Sequence, residues 1–429
     1  MRTPTLHAIL FVLAFAVRYA LLAATVGASA PPKGDANPDQ LDYELFAANL
    51  AAGHGYVLAP GEVTGCRPPG TAFVLAPVYV VFGRDFAAAR LWFCLLSALC
   101  VPVAGAVAHR VVSPRAGLLA AAWLAFYPGH AYYALHFLSE TPVTLLTGLA
   151  MLLQIMSLRR NPNWRDVLLG LVLGLGILVR PSLGVMAVVC GTVALVAGGL
   201  PWRVRFAKAA LMTGAACILV LPWAARNQVA VGKPALTTIV GGYTFWGANN
   251  PKVYDDPHFI GYWIACSSLA DAEHPLAGTE AEREAAAWKY GTDYRTANAG
   301  KLPTVMLHRF GRVVFAYPEA ENRAIDLGFR GGWFLSLPFV LVGLATILRR
   351  APAEWLILVG PLAAVAVTTA SFYGCSRFRD GAAPALAVFF AAGLCAIWAK
   401  VGAKEATPPP APPPKGEGSQ APTPAPPSL

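Results

Sequence analysis

Charge is what this chain lacks. Only 13% of its 429 residues are Asp, Glu, Lys or Arg, where a soluble domain carries roughly 25%. That deficit excludes an ordinary soluble domain. The eight cysteines show no CxxC or other metal-ligand spacing, and no internal repeat of fixed period is present. Five of them, Cys94, Cys100, Cys190, Cys217 and Cys395, lie in apolar runs and read as core residues. Cys66, Cys266 and Cys375 fall in predicted outer loops, where the sequence leaves a disulfide open.

What is present is hydrophobic. Apolar residues make up 56% of the chain, gathered in runs close to the ~20 residues a spanning helix needs. A helix satisfies its own backbone groups in lipid, so the composition implies an all-α polytopic membrane protein. The first run, Leu6 to Gly27, is followed by Ala28-Ser29-Ala30, which resembles a cleavage site. Its length and Arg18 within it favour an uncleaved helix. Further spans are expected at Phe86–Ala108, Ala116–Ala134, Thr141–Leu158, Val167–Val179, Leu183–Gly199, Ala207–Ala225, Gly332–Leu348, Pro352–Ser371 and Ala382–Ala399. That makes about ten transmembrane helices.

The net charge of +10 is explained by short Lys- and Arg-bearing loops between the spans, not by a nucleic-acid partner. Arg110 with Arg115, then Arg159, Arg160 and Arg165, then Arg203, Arg205 and Lys208 fall on one side. Arg349, Arg350, Lys400 and Lys404 fall there too. The positive-inside rule makes that side cytoplasmic and places both termini in the cytoplasm. Gly70–Phe82 is too short to span: about 13 residues reach ~20 Å against a hydrocarbon core of ~30 Å. It reads as a re-entrant or interfacial helix.

Residues 1–400 form the membrane domain. Two long extracytoplasmic loops, 28–85 and 226–330, interrupt it, and the first carries short juxtamembrane helices. In the second, Glu280–Tyr294 and the amphipathic Pro303–Tyr317 read as helices. Residues 401–429 form a Pro-rich cytoplasmic tail that cannot bury a core and is expected to be disordered.

The outer loops carry the candidate chemistry. In Asn37-Pro38-Asp39-Gln40-Leu41-Asp42-Tyr43, Asn37 suits an N-cap, Pro38 the first helical position and Gln40 the capping box. Tyr43, Phe46, Ala47 and Leu50 then form one apolar face. Asp39 falls in the first turn, where the helix dipole favours its ionised form, and an ionised carboxylate can act as a general base. Alone, the motif is better described as an ordinary helix start that Asp39 and Asp42 decorate. Arg67-Pro68-Pro69-Gly70 holds an arginine at headgroup depth, suited to snorkelling or to gripping a lipid-linked phosphate. Other charges beside or within apolar runs are Arg18, Glu140, Arg180, Arg226, Arg377 and Arg379, and ionisable residues there are functional candidates. Outer arginines run against the positive-inside trend, as an anionic lipid phosphate would require.

In this order the motifs resemble the GT-C superfamily of membrane glycosyltransferases. The resemblance is to its bacterial family related to protein O-mannosyltransferases and lipid A aminoarabinose transferases. It is carried by Asp39–Tyr56 (DQLDYELFAANLAAGHGY), Arg67–Gly83 (RPPGTAFVLAPVYVVFG), Leu138–Leu146 (LSETPVTLL) and Leu169–Pro181 (LGLVLGLGILVRP). Leu221–Asn227 (LPWAARN), Gly241–Pro251 (GGYTFWGANNP) and Phe372–Pro384 (FYGCSRFRDGAAP) complete it. It covers most of the chain to about Lys400.

The resemblance implies an inverting glycosyltransferase of a bacterial inner membrane. The donor would be a polyprenyl-phosphate-linked sugar, and the acceptor a lipid, glycan or protein. Asp39 falls at the family's first-loop catalytic carboxylate and Glu140 near its second outer acid. Arg67 falls where the aminoarabinose transferases carry a phosphate-contacting base before two prolines. Asp42, Tyr43, Arg180, Arg226, Asn227, Arg377 and Arg379 are the further candidates for holding substrate. Gln40 stands where relatives often carry a second acid, which removes the partner a metal-binding pair would use. A divalent cation, Mg or Mn, is a candidate to share the charge on the leaving phosphate. A transporter or flippase of lipid-linked sugars is the competing class. It would place charges near the midplane, often with paired repeats, whereas most charges here cluster at one face. A non-catalytic assembly role would rest on the Pro-rich tail alone.

Overall fold

The computed structural model describes residues 3–34, 37–197, 199–315, 323–349 and 352–405. Of the predicted tail, residues 401–405 continue the last helix where disorder was expected, and the rest lies outside the described residues. The described chain is helical and holds no strand, only an isolated bridge between Val57 and Val63. The all-α membrane architecture expected from composition is what forms.

The helices run in chain order. They begin with α1 (Thr3–Thr25), α2 (Asp39–Ala51), α3 (Gly70–Phe82), α4 (Phe86–Val111), α5 (Pro114–Phe126) and α6 (Pro128–Tyr133). The middle of the chain gives α7 (Glu140–Ser157), α8 (Trp164–Val179), α9 (Leu183–Val196), α10 (Trp202–Val231), α11 (Gly241–Gly247) and α12 (Pro251–Asp255). The last six are α13 (Glu280–Ala297), α14 (Leu302–Phe315), α15 (Arg323–Leu348), α16 (Pro352–Ser371), α17 (Phe378–Gly381) and α18 (Ala383–Glu405).

Among the described residues, five helices are long and apolar enough to cross a membrane by themselves: α1, α4, α10, α15 and α18. Shorter helices fill the bundle between them. The expected span Ala116–Ala134 is not continuous. Tyr127 is extended and Pro128 opens α6, because a residue before proline is pushed out of the helical region. The expected cap of α2 also differs. Pro38 occupies the N-cap without a side-chain hydrogen bond. Gln40, instead of closing a capping box, donates from Nε2 to the Lys33 carbonyl at 2.6 Å.

The apolar core runs through α4, α5, α7 and α18. α15 and α18 cross at Gly343 and Gly393, where a Cβ on either would collide with the Phe389 or Phe339 carbonyl. Small residues permit this approach, which is how helices associate in lipid. Arg18 is fully buried between α1, α4 and α5. It donates to Ser97 Oγ at 2.7 Å and to the Ala14 and Ala125 carbonyls, each at 2.9 Å. Its place is this helix junction, not the outer surface. All eight cysteines, Cys66, Cys266 and Cys375 included, are free.

Candidate active site

Four helix ends converge on one point. α2 begins at Asp39, α3 follows directly on Arg67-Pro68-Pro69, α7 begins at Glu140, and Arg180 caps the end of α8. A fifth segment, the turn before α17, brings Arg377. Gly70 makes the approach of α3 possible, since a Cβ there would come within 2.5 Å of Val179 N at the end of α8. The two prolines before it stiffen the chain that presents Arg67, and the Arg67 carbonyl accepts from Tyr56 OH at 2.9 Å.

The side chains form a ladder of alternating charge. Arg67 bridges Asp42 at 2.8 Å and Asp39 at 3.0 Å. Arg377 bridges Asp39 at 3.3 Å and Glu140 at 3.0 Å. Arg180 completes it, 2.6 Å from Glu140 and 2.9 Å from Ser139 Oγ. Glu140 is fully buried, whereas the Asp39, Arg67, Arg180 and Arg377 side chains keep 18–29% of their surface. The ladder therefore has a closed floor and an open edge.

Asp39, Tyr43, Glu140, Arg180 and Arg377 line a cavity of about 480 Å³ whose remaining wall is mostly apolar. Tyr43 is pushed up to about 12, first by burial and then by the Asp39 carboxylate, so it stays a neutral phenol at physiological pH. Burial pulls the Arg67 guanidinium down, but Asp39, Tyr43 and Asp42 together outweigh it and hold it charged.

Seven of the ten candidates from the sequence thus meet here: Asp39, Asp42, Tyr43, Arg67, Glu140, Arg180 and Arg377. Three do not join the ladder. Arg226 donates to the Thr64 and Tyr56 carbonyls at 2.7 and 2.8 Å. It lies against the Tyr56 and Trp223 rings, so it clamps the first loop onto α10. Asn227 is buried and donates to the Ala235 and Thr237 carbonyls at 2.8 and 3.3 Å. Arg379 donates to the Val314 carbonyl at 3.0 Å and sits over Trp333. Backbone carbonyls and rings are the partners of these groups.

Two residues that the sequence reading did not single out adjoin the ladder. His136 is buried, and neither of its ring nitrogens has a hydrogen-bond partner among the described residues; Tyr133 OH and Glu140 Oε2 share that condition. His136 is pushed down to about 4, chiefly by burial and then by Arg90 and Arg377, so its ring is neutral. The available signal was the place of His136 in the run HFLSE, which ends on Glu140. Among the described residues no group of three or more His, Cys, Asp or Glu gathers, and Asp39, Asp42 and Glu140 each already hold an arginine.

Comparison with known proteins agrees with the fold. It is similar to that of a solved archaeal membrane oligosaccharyltransferase, in line with the fold the motifs implied. Residues 66–225 match the family described as dolichyl-phosphate-mannose-protein mannosyltransferase. The structure is similar to the archaeal oligosaccharyltransferase AglB from Archaeoglobus fulgidus, solved with an inhibitory peptide and a dolichol-phosphate. The TM-score is 0.55 at 13% identity, over 93% of this chain and 51% of that one. The chain thus spans about half the length of that relative. ArnT from Cupriavidus metallidurans, bound to undecaprenyl phosphate, aligns over 92% of this chain and 80% of its own at 15% identity and a TM-score of 0.42. No curated protein matches the chain in sequence.

Proposed function

We propose that the chain is an integral membrane glycosyltransferase that moves a sugar from a polyprenyl-phosphate-linked donor to a lipid, glycan or protein acceptor. The reaction takes place on the extracytoplasmic face of a bacterial inner membrane, and both termini are cytoplasmic. The observation that carries this reading is the position of Asp39. It is a partly exposed carboxylate on a cavity wall, held between Arg67 and Arg377 at 3.0 and 3.3 Å.

The chemistry follows from the ladder. A donor phosphate entering the cavity competes with Asp39 for Arg67 and Arg377, since phosphate accepts the same planar fork. As the guanidiniums turn to phosphate, Asp39 is freed to take the proton of the acceptor's hydroxyl or amine. The acceptor heteroatom forms its bond to C1 of the sugar from the face opposite the leaving group. The bond from C1 to the phosphate oxygen breaks, and the electron pair goes to the polyprenyl phosphate. Inversion at C1 results. The charge growing on phosphate is met by preorganised cations, the usual source of the largest catalytic term. Polyprenyl phosphate is a weak base, so no general acid is required.

The family match and the dolichol-phosphate bound by the similar oligosaccharyltransferase support this donor class. The charges gathered at the ends of the helices weigh against a transporter, which would hold them at mid-depth. The test is sugar transfer from polyprenyl-phosphate donors by the purified full chain, with lipid-linked sugar pools and glycan mass measured in a deletion strain. Unaltered pools and glycans in the deletion strain, with no transfer in vitro, would rule the activity out.

A further inference from the structure

The ends of α7 and α8 that lie away from the ladder hold a second charged site of a different kind. α7 runs eighteen residues from Glu140 to Ser157, about 27 Å at 1.5 Å per residue, and α8 returns from Trp164 to Arg180. The turn between them therefore lies at the opposite membrane face. There Arg110 of α4, with Arg159, Arg160 and Arg165, surrounds a cavity of about 380 Å³. Its other walls are Val111, Ile155, Met156 and Leu158.

The charge balance is the reverse of that in the ladder. Every ladder arginine holds a carboxylate, but among the described residues none of these four is paired with one. The neighbouring Asp166 is buried and committed to Lys208 at 2.9 Å and to the Asn163 amide at 3.0 Å. Arg165 Nε is buried with no partner, and its NH1 reaches only Asn163 Oδ1 at 3.5 Å. Arg110 donates to the Ala106 carbonyl of its own helix at 3.0 Å. Four guanidiniums around one cavity, without a counter-charge, define a site for an anion. Cytoplasmic-side arginines alone would follow from the positive-inside rule. A cavity that gathers four of them does not.

The anion's remaining chemistry is set by what lies beside it. A groove of about 740 Å³ runs between α1 and α4, walled mostly by apolar residues such as Ala8, Phe11, Leu99 and Pro102, with His7, His109 and Arg110 also lining it. Arg110 lines both spaces. Trp164, 61% exposed and stacked under Arg165 at 4.7 Å, marks headgroup depth, where tryptophan is enriched. A membrane phospholipid carries a phosphate and a hydrocarbon chain in that arrangement.

We infer that this face binds an anionic phospholipid. Its phosphate sits among Arg110, Arg159, Arg160 and Arg165, and one acyl chain lies along the groove between α1 and α4. The site is separate from the ladder and does not depend on the reaction proposed for it.

The experiment uses the full chain, delipidated in mild detergent. Dioleoyl phosphatidylglycerol, dioleoyl phosphatidylcholine and inorganic phosphate are the probes. Bound lipid is read by native mass spectrometry and stability by thermal midpoint. Phosphatidylglycerol is expected to be retained as a one-to-one adduct and to raise the midpoint, with phosphatidylcholine at least tenfold weaker. The double variant Arg159→Gln/Arg160→Gln should lose at least tenfold in phosphatidylglycerol affinity, and Arg159→Lys/Arg160→Lys should keep much of it. Ala8→Trp, on the exposed wall of the groove, should weaken phosphatidylglycerol without changing any effect of inorganic phosphate. Equal retention of the two lipids would overturn the proposal. So would full stabilisation by inorganic phosphate, which would mark a free-phosphate site, or unchanged lipid binding in both the glutamine and the Ala8→Trp variants.

Discussion

Asp39 and Arg377 lie 338 positions apart in the chain and meet at 3.3 Å. The contact ties the first turn of α2 to the segment before α17, so the first outer loop and the end of the bundle close around one cavity. Arg377 also reaches Glu140, which makes it the joint between the exposed and buried halves of the ladder.

The first prediction concerns the proton acceptor. Asp39→Asn keeps the shape of the side chain and can still accept from Arg67, so the fold should persist. Transfer should fall by about 10²–10⁴-fold, the usual span of a general-base contribution. Asp42→Asn, which touches only Arg67 in the ladder, should be milder. Single-turnover transfer with saturating donor checks both. Wild-type rates for Asp39→Asn would end its candidacy.

Glu140 is a stability residue as much as a site residue. It is fully buried and serves two arginines. Glu140→Ala leaves both without their shared counter-charge, and breaking a buried pair by removing one partner is strongly destabilising. The arginines keep some exposure and each retains another partner, so a loss of about 2 kcal/mol is expected, below the ~3–5 kcal/mol of fully buried pairs. Thermal unfolding in detergent measures it, and an unchanged midpoint would show that the ladder does not hold the helix ends together.

Tyr43 gives a pH signature. Its folded value of about 12 lies above the ~10 of a free phenol. Below pH ~10 both states are protonated and the residue adds no pH dependence. Between about 10 and 12 the unfolded chain ionises and the folded one does not. Stability therefore falls as pH rises, by up to ~1.4 kcal/mol per unit for one proton. Other buried tyrosines contribute to the same fall, so the informative quantity is a difference. Tyr43→Phe should lose stability less steeply over that window than wild type, and identical slopes would place Tyr43 in a more open environment.

Orientation is tested separately. A reporter active only outside the cytoplasm, fused after Lys400, should stay silent. Strong activity would put the ladder on the cytoplasmic side.

How much of this the sequence showed depends on range. Local features were legible. Gly70–Phe82 was bounded correctly because two prolines open it and Gly83 ends it, and its length alone marked it as non-spanning. The break at Tyr127–Pro128 was hidden inside continuous apolar composition, although the proline was visible. The N-cap of α2 was misassigned because Gln40 is drawn to the Lys33 carbonyl, a contact outside the helix. In the site, Asp39 stood out at a helix start and Arg67 before two prolines, and Glu140, Arg180 and Arg377 as charges beside apolar runs, since such charges are costly there. The same rule also picked out Arg18, Arg226 and Arg379. Sequence cannot show which arginines are already occupied by carbonyls such as those of Thr64, Tyr56 and Val314. Those contacts depend on how distant helices pack. The pairing order of the ladder was hidden for the same reason.

Arg67 separates donor binding from structure. It is the most exposed of the ladder arginines, at 29% of its side-chain surface, and it bridges two carboxylates that a phosphate would displace. If it grips the donor, Arg67→Ala should raise KM for the polyprenyl-phosphate sugar and lower kcat, because charge on the phosphate grows toward the transition state. The combined loss in kcat/KM should be about 10²–10³-fold, in the range measured for a single charge-stabilising donor. Arg67→Lys should recover only part of it, since a compact ammonium cannot bridge Asp39, Asp42 and a phosphate with a planar fork. If Arg67 only pins the first loop, both variants should melt earlier while kcat/KM of the folded fraction stays near wild type. Transfer rates at varied donor, normalised to folded protein, distinguish the two outcomes. An unchanged kcat/KM in Arg67→Ala would pass the phosphate role to Arg180 and Arg377, the two guanidiniums that line the cavity itself.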